Sequence, residues 1–494
     1  MQRLIKRSVS SIFLMQSLSG RAYAHTIASQ PLPKYVPVPV ELELGTVIVI
    51  HRHGDRAQIS RILGGAYPES ETLAAQWQEK LPTERSRRAM MLAAHPGENL
   101  VLKGDLEVDV VSTLYSGWDK VNIPYAQLTE VGCSELQMVG RELRQRYVES
   151  GFLPPDLAQA AGAVYARSTS MCRTQQSVRS LLAGLFAVDP DAHPAPTAKN
   201  PSGLGAPRIF TQERNLETMY PTADGPSGGM LERRAVVLPA GLVARSIPGY
   251  GPFEERMREL CGFEEKVNMM QVKEVLTCHA SHNIQHVRGW TLEDTHKASE
   301  ITGFIWGALY KDDALNRLAI GRFLHDLRAD LTAAMTGQPE SSLDSTEGEA
   351  PSPLGKRLLI YSGHDSTLVP VLCALGIYDD VWPPYASFLT LEFASERSGD
   401  SSGSEGDVCE RAQFVRVLYN NEERRILGEG EWCPLPLLYA RMDRMSISRA
   451  QYVLEAAQHE RKQGEAGSEG KAEAAALERE ARAEIAATID GGPR

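Results

Sequence analysis

The apolar run Thr46-Val47-Ile48-Val49-Ile50 stops abruptly and gives way to Arg52-His53-Gly54-Asp55-Arg56. Apolar positions without alternation are the pattern of a strand buried on both faces. Two further runs repeat it. Ala163-Val164-Tyr165-Ala166 ends at Arg167-Ser168-Thr169, and Leu358-Leu359-Ile360-Tyr361 ends at Ser362-Gly363-His364-Asp365. Elsewhere the spacing becomes helical. Thr129 is placed to cap a helix in which Leu136, Val139, Leu143 and Tyr147 share a face, and a second helix aligns Val178, Leu181, Leu182, Leu185 and Phe186. Strands alternating with helices predict an α/β domain whose parallel sheet is covered on both faces.

The alternation divides the chain. Residues 41–190 and 355–455 carry it and form the expected α/β domain. Residues 57–127 read as irregular, an insertion leaning over the site. Residues 191–336 lack the strand-helix alternation, are mainly helical after about Phe253, and read as an inserted helical cap. A Ser, Glu and Pro-rich loop follows at 337–354. Strands at about 387–394 and 413–419 read as an antiparallel edge pair around the polar segment 395–407, and 456–494 as a polar helical or disordered tail.

Composition narrows the class. A chain of 494 residues has room for about two to three domains. Its net charge of -11 argues against non-specific nucleic-acid binding. No apolar run is long enough for a transmembrane helix, which leaves at most peripheral membrane contact. Residues 1–40 have no acidic residue but carry Arg3, Lys6, Arg7, Arg21 and Lys34, with an amphipathic stretch from Leu4 to Leu18. That pattern predicts a mitochondrial transit peptide; the alternative is a secretory signal with Ala22-Tyr23-Ala24 as its cleavage site. The seven cysteines contain no C-x-x-C pair, so neither a zinc framework nor a dense disulfide scaffold is expected, and Cys172 and Cys373 read as core thiols.

Ligands of open α/β sheets bind beyond the carboxyl ends of the strands. Three strand ends would therefore bring Arg52, Arg56, Arg167, His53, His364 and Asp365 to one crevice. Guanidinium groups match the oxygens of a phosphoryl group and spread its charge during transfer. His53 in its neutral form can attack phosphorus, and His364 can donate to a phosphate oxygen. Asp365 can protonate a leaving alkoxide if burial or the phosphate dianion raises its pKa; nearby arginines oppose that rise. Taken alone, Arg167 also reads as a structural arginine. His51 and His53 at i, i+2 lack a third ligand and are flanked by cations that repel a metal. His279, His282 and His286 share a helical face that reads as solvated or hydrogen-bonded.

Together these segments resemble the histidine acid phosphatase branch of the histidine phosphatase superfamily, over about residues 45–455. The resemblance is carried by Arg52 to Arg56, Leu128-Thr129-Glu130-Val131-Gly132, Tyr165 to Thr169, Leu181 to Phe186, His364-Asp365, Leu375-Gly376-Ile377, Trp382-Pro383-Pro384 and Cys433-Pro434-Leu435. It implies a three-layer α/β/α mixed sheet with an inserted, mainly helical cap domain. It also implies His53 as the phosphorylated nucleophile, Asp365 as proton donor, and Arg52, Arg56, Arg167 and His364 as the phosphate pocket, with no metal or other cofactor. The chain departs from the family at Ala57-Gln58 and in having no cysteine just upstream of Cys433. The resulting expectation is a monomeric acid phosphatase with a small phosphomonoester substrate, preferably a lysophospholipid such as lysophosphatidic acid. Inositol, sugar and protein phosphates are alternatives, and a catalytically silent phosphate- or phospholipid-binding protein is the reading from a different class.

Overall fold

The computed structural model describes residues 32–94, 102–103, 107–108, 122–191, 206–212, 216–221, 243–264, 266–284, 287–338, 352–397 and 411–455. The expected transit segment up to residue 31, most of the loops at 337–354 and 395–407, and the tail from 456 lie outside them.

Apart from a small two-stranded sheet at Leu102–Lys103 and Glu107–Val108, the described strands are β1 (Leu42–Arg52), β2 (Val164–Ser168), β3 (Ile209–Thr211), β4 (Leu358–Gly363), β5 (Phe388–Glu396), β6 (Gln413–Tyr419), β7 (Glu422–Glu423) and β8 (Cys433–Pro434). They form one sheet in the order β8-β6-β5-β1-β4-β2-β3, with β7 paired to β6. β1, β4, β2 and β3 run parallel, whereas β5, β6 and β8 are antiparallel to their neighbours. The sheet is mixed, as expected. Also as expected, β5 and β6 pair antiparallel; β5 also lies directly against β1, and the two-residue β8 covers part of the outer side of β6. Each of β5 and β6 carries an interior charge. Glu392 and Arg416 pair at 2.6 Å inside the sheet, and the Tyr147 hydroxyl donates to Glu392 at 2.6 Å.

Side-chain alternation sends successive residues of each strand to opposite layers. Val47, Val49, Val164, Ala166, Leu358 and Ile360 pack under α2 (Glu84–Ala93), α3 (Glu130–Leu143) and α5 (Cys172–Leu185). Ile48, Ile50, Tyr165, Leu359 and Tyr361 face α9 (Asp313–Thr336), α10 (Asp365–Ala374) and α11 (Leu435–Met445). Full burial of each such aliphatic side chain contributes about 1.5–3 kcal/mol. A separate apolar cluster joins α6 (Tyr250–Cys261), α7 (Met269–His282) and α8 (Leu292–Tyr310). Thus α9, though within the segment read as a cap, covers the sheet with Ile320, Phe323, Leu324 and Leu327.

One further boundary differs from expectation. The segment 57–127 is not simply irregular: it contains α1 (Glu71–Gln78), capped by Ser70, and α2, capped by Thr83. Only Leu73 and Trp77 of α1 are buried, which leaves little apolar period to read. Within the stretch 1–40 expected as leader, Pro33 and Tyr35 contact the sheet domain: the Tyr35 hydroxyl donates to Glu392 at 2.8 Å and Asn421 donates to the Pro33 carbonyl at 3.3 Å. α4 (Leu157–Ala163) completes the helices used below.

Candidate active site

Parallel β1, β4 and β2 are neighbours, so their carboxyl ends open on one edge, and backbone bonds fix them there. His53 N–H donates to the Gly363 carbonyl at 3.0 Å, Thr169 N–H to the Ser362 carbonyl at 3.1 Å, and Ala386 N–H to the His53 carbonyl at 3.1 Å. β4 then leads directly into α10, whose first residue is Asp365, and β2 into α5 after a short turn. Helix amino termini carry free N–H donors and favour anions, so the crevice is polarised before any side chain is counted.

His53 is buried at 2% exposure. Its Nδ1 lies 2.8 Å from the Gly54 carbonyl, and a carbonyl only accepts, so Nδ1 carries the proton and Nε2 holds the lone pair. The same peptide unit is held from its other side, where Asp55 N–H donates to Glu135 Oε2 at 2.7 Å. Gly54 is needed here for close approach: a Cβ would sit 2.4 Å from the Gly132 carbonyl oxygen at the start of α3. Burial, then the cations of Arg173 and Arg52, His364 and Arg56 hold the His53 pKa well below the usual histidine value. The imidazole therefore stays neutral below the usual histidine pKa.

Arg52 lies over the Tyr385 ring at 4.2 Å, donates to the Pro383 carbonyl at 2.6 Å and pairs with Asp365 at 2.8 Å. Arg56 pairs with Glu274 at 2.6 Å and lies 5.9 Å from the same ring. His364 meets His53 edge-on at 5.5 Å between ring centroids, stacks on Tyr220, and has its Nε2 3.0 Å from Thr169 Oγ1. Burial raises the pKa of Asp365, but Arg52, Lys273, His364 and Arg56 outweigh it and hold the carboxyl below its usual range. In the free protein Asp365 is a carboxylate.

Arg167 departs from the expectation that it lines the pocket. It lies on the Tyr165 side of β2 and points toward α9, pairing with Glu217 at 2.9 Å and Asp326 at 3.0 Å and donating to Gln212 and Thr218. Two carboxylates already answer its charge. Arg173, the second residue of α5, is the arginine whose field reaches the site: after burial it is the foremost influence lowering the pKa of both His53 and His364. Sequence reading stopped at the first arginine of Arg167-Ser168-Thr169-Ser170-Met171-Cys172-Arg173. The missed signal was a second arginine in the opening turn of the helix that follows the strand.

The remaining wall comes from α7. Glu274 orients Arg56 and accepts the Ile59 N–H at 2.7 Å, while Lys273 places its ammonium 3.8 Å from the centroid of the Trp382 ring. His279 Nε2 lies 2.6 Å from Gln58 Oε1 and His282 Nε2 2.5 Å from Asp55 Oδ1, so these histidines brace the loop after β1. This is the hydrogen-bonded alternative for that face; His286 lies outside the described residues. Lys273, Glu274 and Tyr385 were not legible because their partners are long-range in sequence. Six described cysteines, Cys172 and Cys373 among them, are buried.

A mixed sheet under helical layers, aiming a neutral histidine and several cations into one crevice, defines a phosphoryl-group pocket. The model of the histidine phosphatase superfamily (branch 2) matches residues 43–218 and 250–420, and the chain belongs to that family. It is 27% identical over 433 residues to lysophosphatidic acid phosphatase type 6 of Mus musculus, covering 83% of this chain and 87% of the relative. It is 29% identical over 341 residues to testicular acid phosphatase of Homo sapiens, covering 67% and 70%. In fold it is similar to the apo phytase of Hafnia alvei, with a TM-score of 0.52 at 14% identity, covering 83% of this chain and 98% of the phytase. The protein is a phosphoric monoester hydrolase.

Proposed function

We propose that this phosphatase works through a phosphohistidine on His53 and that its substrate is lysophosphatidic acid, released as monoacylglycerol and phosphate. The observation that carries the mechanism is the His53 Nδ1 bond to the Gly54 carbonyl, which leaves Nε2 as the attacking atom. Nε2 forms a bond to phosphorus as the bond to the ester oxygen breaks. Arg52, Arg56, Arg173 and His364 hold the non-bridging oxygens and spread the charge gained there. Water then cleaves the P–N bond, giving phosphate and restoring His53.

Asp365 supplies the proton to the leaving oxygen. Because it is ionised in the free protein, it takes up that proton when the phosphate arrives, since a second anion beside a carboxylate raises its pKa. Asp365→Asn cannot donate it. Alkyl phosphate turnover is expected to fall by about 10²–10⁴-fold, whereas p-nitrophenyl phosphate, whose leaving group needs no proton, loses far less. Equal losses on both substrates would remove Asp365 from the acid role.

The substrate assignment rests on the relatives named for lysophosphatidic acid. Specificity constants measured on lysophosphatidic acid, glycerol 3-phosphate, an inositol phosphate, a sugar phosphate and a phosphopeptide test it. Lysophosphatidic acid is expected to lead the series by at least about tenfold, the value of roughly two buried methylenes. Preference for the inositol, sugar or peptide ester rejects the assignment without touching the phosphohistidine step. Binding of lysophosphatidic acid with no phosphate release would mark the silent binding protein.

A further inference from the structure

Lys273 is a charged side chain of the pocket wall that the chemistry above leaves without a task. Its residue is only 4% exposed. Arg52 and Arg56 each pair with a carboxylate, but among the described residues the Lys273 ammonium meets the face of Trp382 and makes no hydrogen bond or ion pair. Trp382 Nε1, buried beside it, also lacks a protein acceptor among the described residues. An ammonium on a largely buried side chain with no hydrogen-bond acceptor is unfavourable, and the indole face together with the field of Asp365 offsets only part of that cost. Two adjacent donors with no acceptor mark a place where a ligand supplies oxygen.

Its position indicates which part of the ligand. In-line displacement makes the leaving oxygen depart opposite the attacking nitrogen. His53 is delivered from the strand mouth, so the alcohol lies toward the cap, from which α7 projects Lys273. Asp365 on α10 is the anion facing the ammonium, with Arg52 at the end of β1, Arg56 on the loop after it and Cys278 on α7 as the other titratable neighbours. Burial lowers the Lys273 pKa first, Asp365 opposes and the two arginines add to the lowering, bringing it to about 7. The phosphoryl oxygens already have three arginines and His364.

We infer that Lys273 and Trp382 form a leaving-group subsite that recognises an oxygen acceptor carried next to the phosphoester, as in a phosphoglycerol. The ammonium donates to that oxygen and the indole face covers the adjacent carbons. An alkyl phosphate without the oxygen leaves the ammonium buried and unanswered. The inference rests on the assignment of His53 as nucleophile and Asp365 as leaving-group acid, and it deepens that reading by naming what the alcohol must carry.

The test compares specificity constants for glycerol 3-phosphate and n-propyl phosphate in the wild type, Lys273→Met and Lys273→Arg. Wild type is expected to favour glycerol 3-phosphate by at least about tenfold, a ratio typical of one well-buried hydrogen bond to a charged donor. Lys273→Met should bring the ratio to within about threefold of unity, and Lys273→Arg should keep most of it. The wild-type ratio should also decline as pH rises from 6 to 8, because the ammonium is present below about 7 and lost above it. Retention of the full ratio in Lys273→Met overturns the inference. So does a loss of equal size on both esters and on inhibition by inorganic phosphate, which would assign the ammonium to the phosphoryl group. Thermal unfolding of each variant is followed in parallel, and Lys273→Arg carries the comparison if the methionine variant is unstable. Trapping phosphohistidine on the wild type with either ester keeps the two readings apart: a missing phosphoenzyme refutes the nucleophile, while the ratio speaks only for the subsite.

Discussion

His53→Ala is expected to form no acid-labile phosphoenzyme and to lose at least about 10⁴-fold in turnover on every phosphomonoester, since removing a nucleophile leaves only binding and charge stabilisation. The cause is specific to one nitrogen. Nδ1 is held by the Gly54 carbonyl, and the lone pair on Nε2 stays available in acid because burial and the surrounding cations keep the ring neutral. Rapid quench with ³²P-labelled substrate, followed by alkaline gel analysis, measures the intermediate. Inhibition by inorganic phosphate serves as the folding control, because the arginines remain. Wild-type labelling of His53→Ala would place the nucleophile on another residue.

The second large effect separates two arginines that look equivalent along the chain. Arg173→Ala is expected to lower turnover by about 10²–10³-fold, the usual consequence of removing one donor from a site of developing charge, with little change in melting temperature. Arg173→Lys should recover only part, since an ammonium cannot present a fork to two oxygens. Arg167→Ala should do the opposite. It strands Glu217, whose side chain is fully buried, and breaking such a pair costs about 3–5 kcal/mol. The expected result is a large fall in thermal stability, partly relieved by adding Glu217→Gln, with turnover of the folded fraction within a few-fold of wild type. A variant pair showing the reverse pattern would return Arg167 to the phosphate pocket.

The difference between these arginines also shows where sequence reading stopped. An apolar run ending in Arg-His-Gly-x-Arg is a local signal, and three such ends imply a shared crevice once the strands are parallel. Arg167 sits at one of those ends, but alternation along β2 puts it on the Tyr165 face, where α9 supplies Asp326. No local pattern says that two acids will arrive there from distant segments. Arg173 reaches the site because β2 ends one turn before α5 begins, and that geometry depends on where β4 lies. The charges inside β5 and β6 depend on distance in the same way: Glu392 and Arg416 come from different strands and neutralise each other in the interior.

By itself the sequence determined the alternating strands and helices, the capped helix after Thr129, the basic loop after β1 and the His364-Asp365 pair, because propensity, periodicity and capping act over a few residues. Those signals were enough to reach the family and the crevice that holds His53. Tertiary structure alone decided which arginine lies beside His53 and His364, that Asp365 is ionised in the free protein, and that α7 supplies Lys273 and Glu274. Each of these turns on burial and on charges brought together from distant parts of the chain, and neither exists until the sheet and its cap have closed around the site.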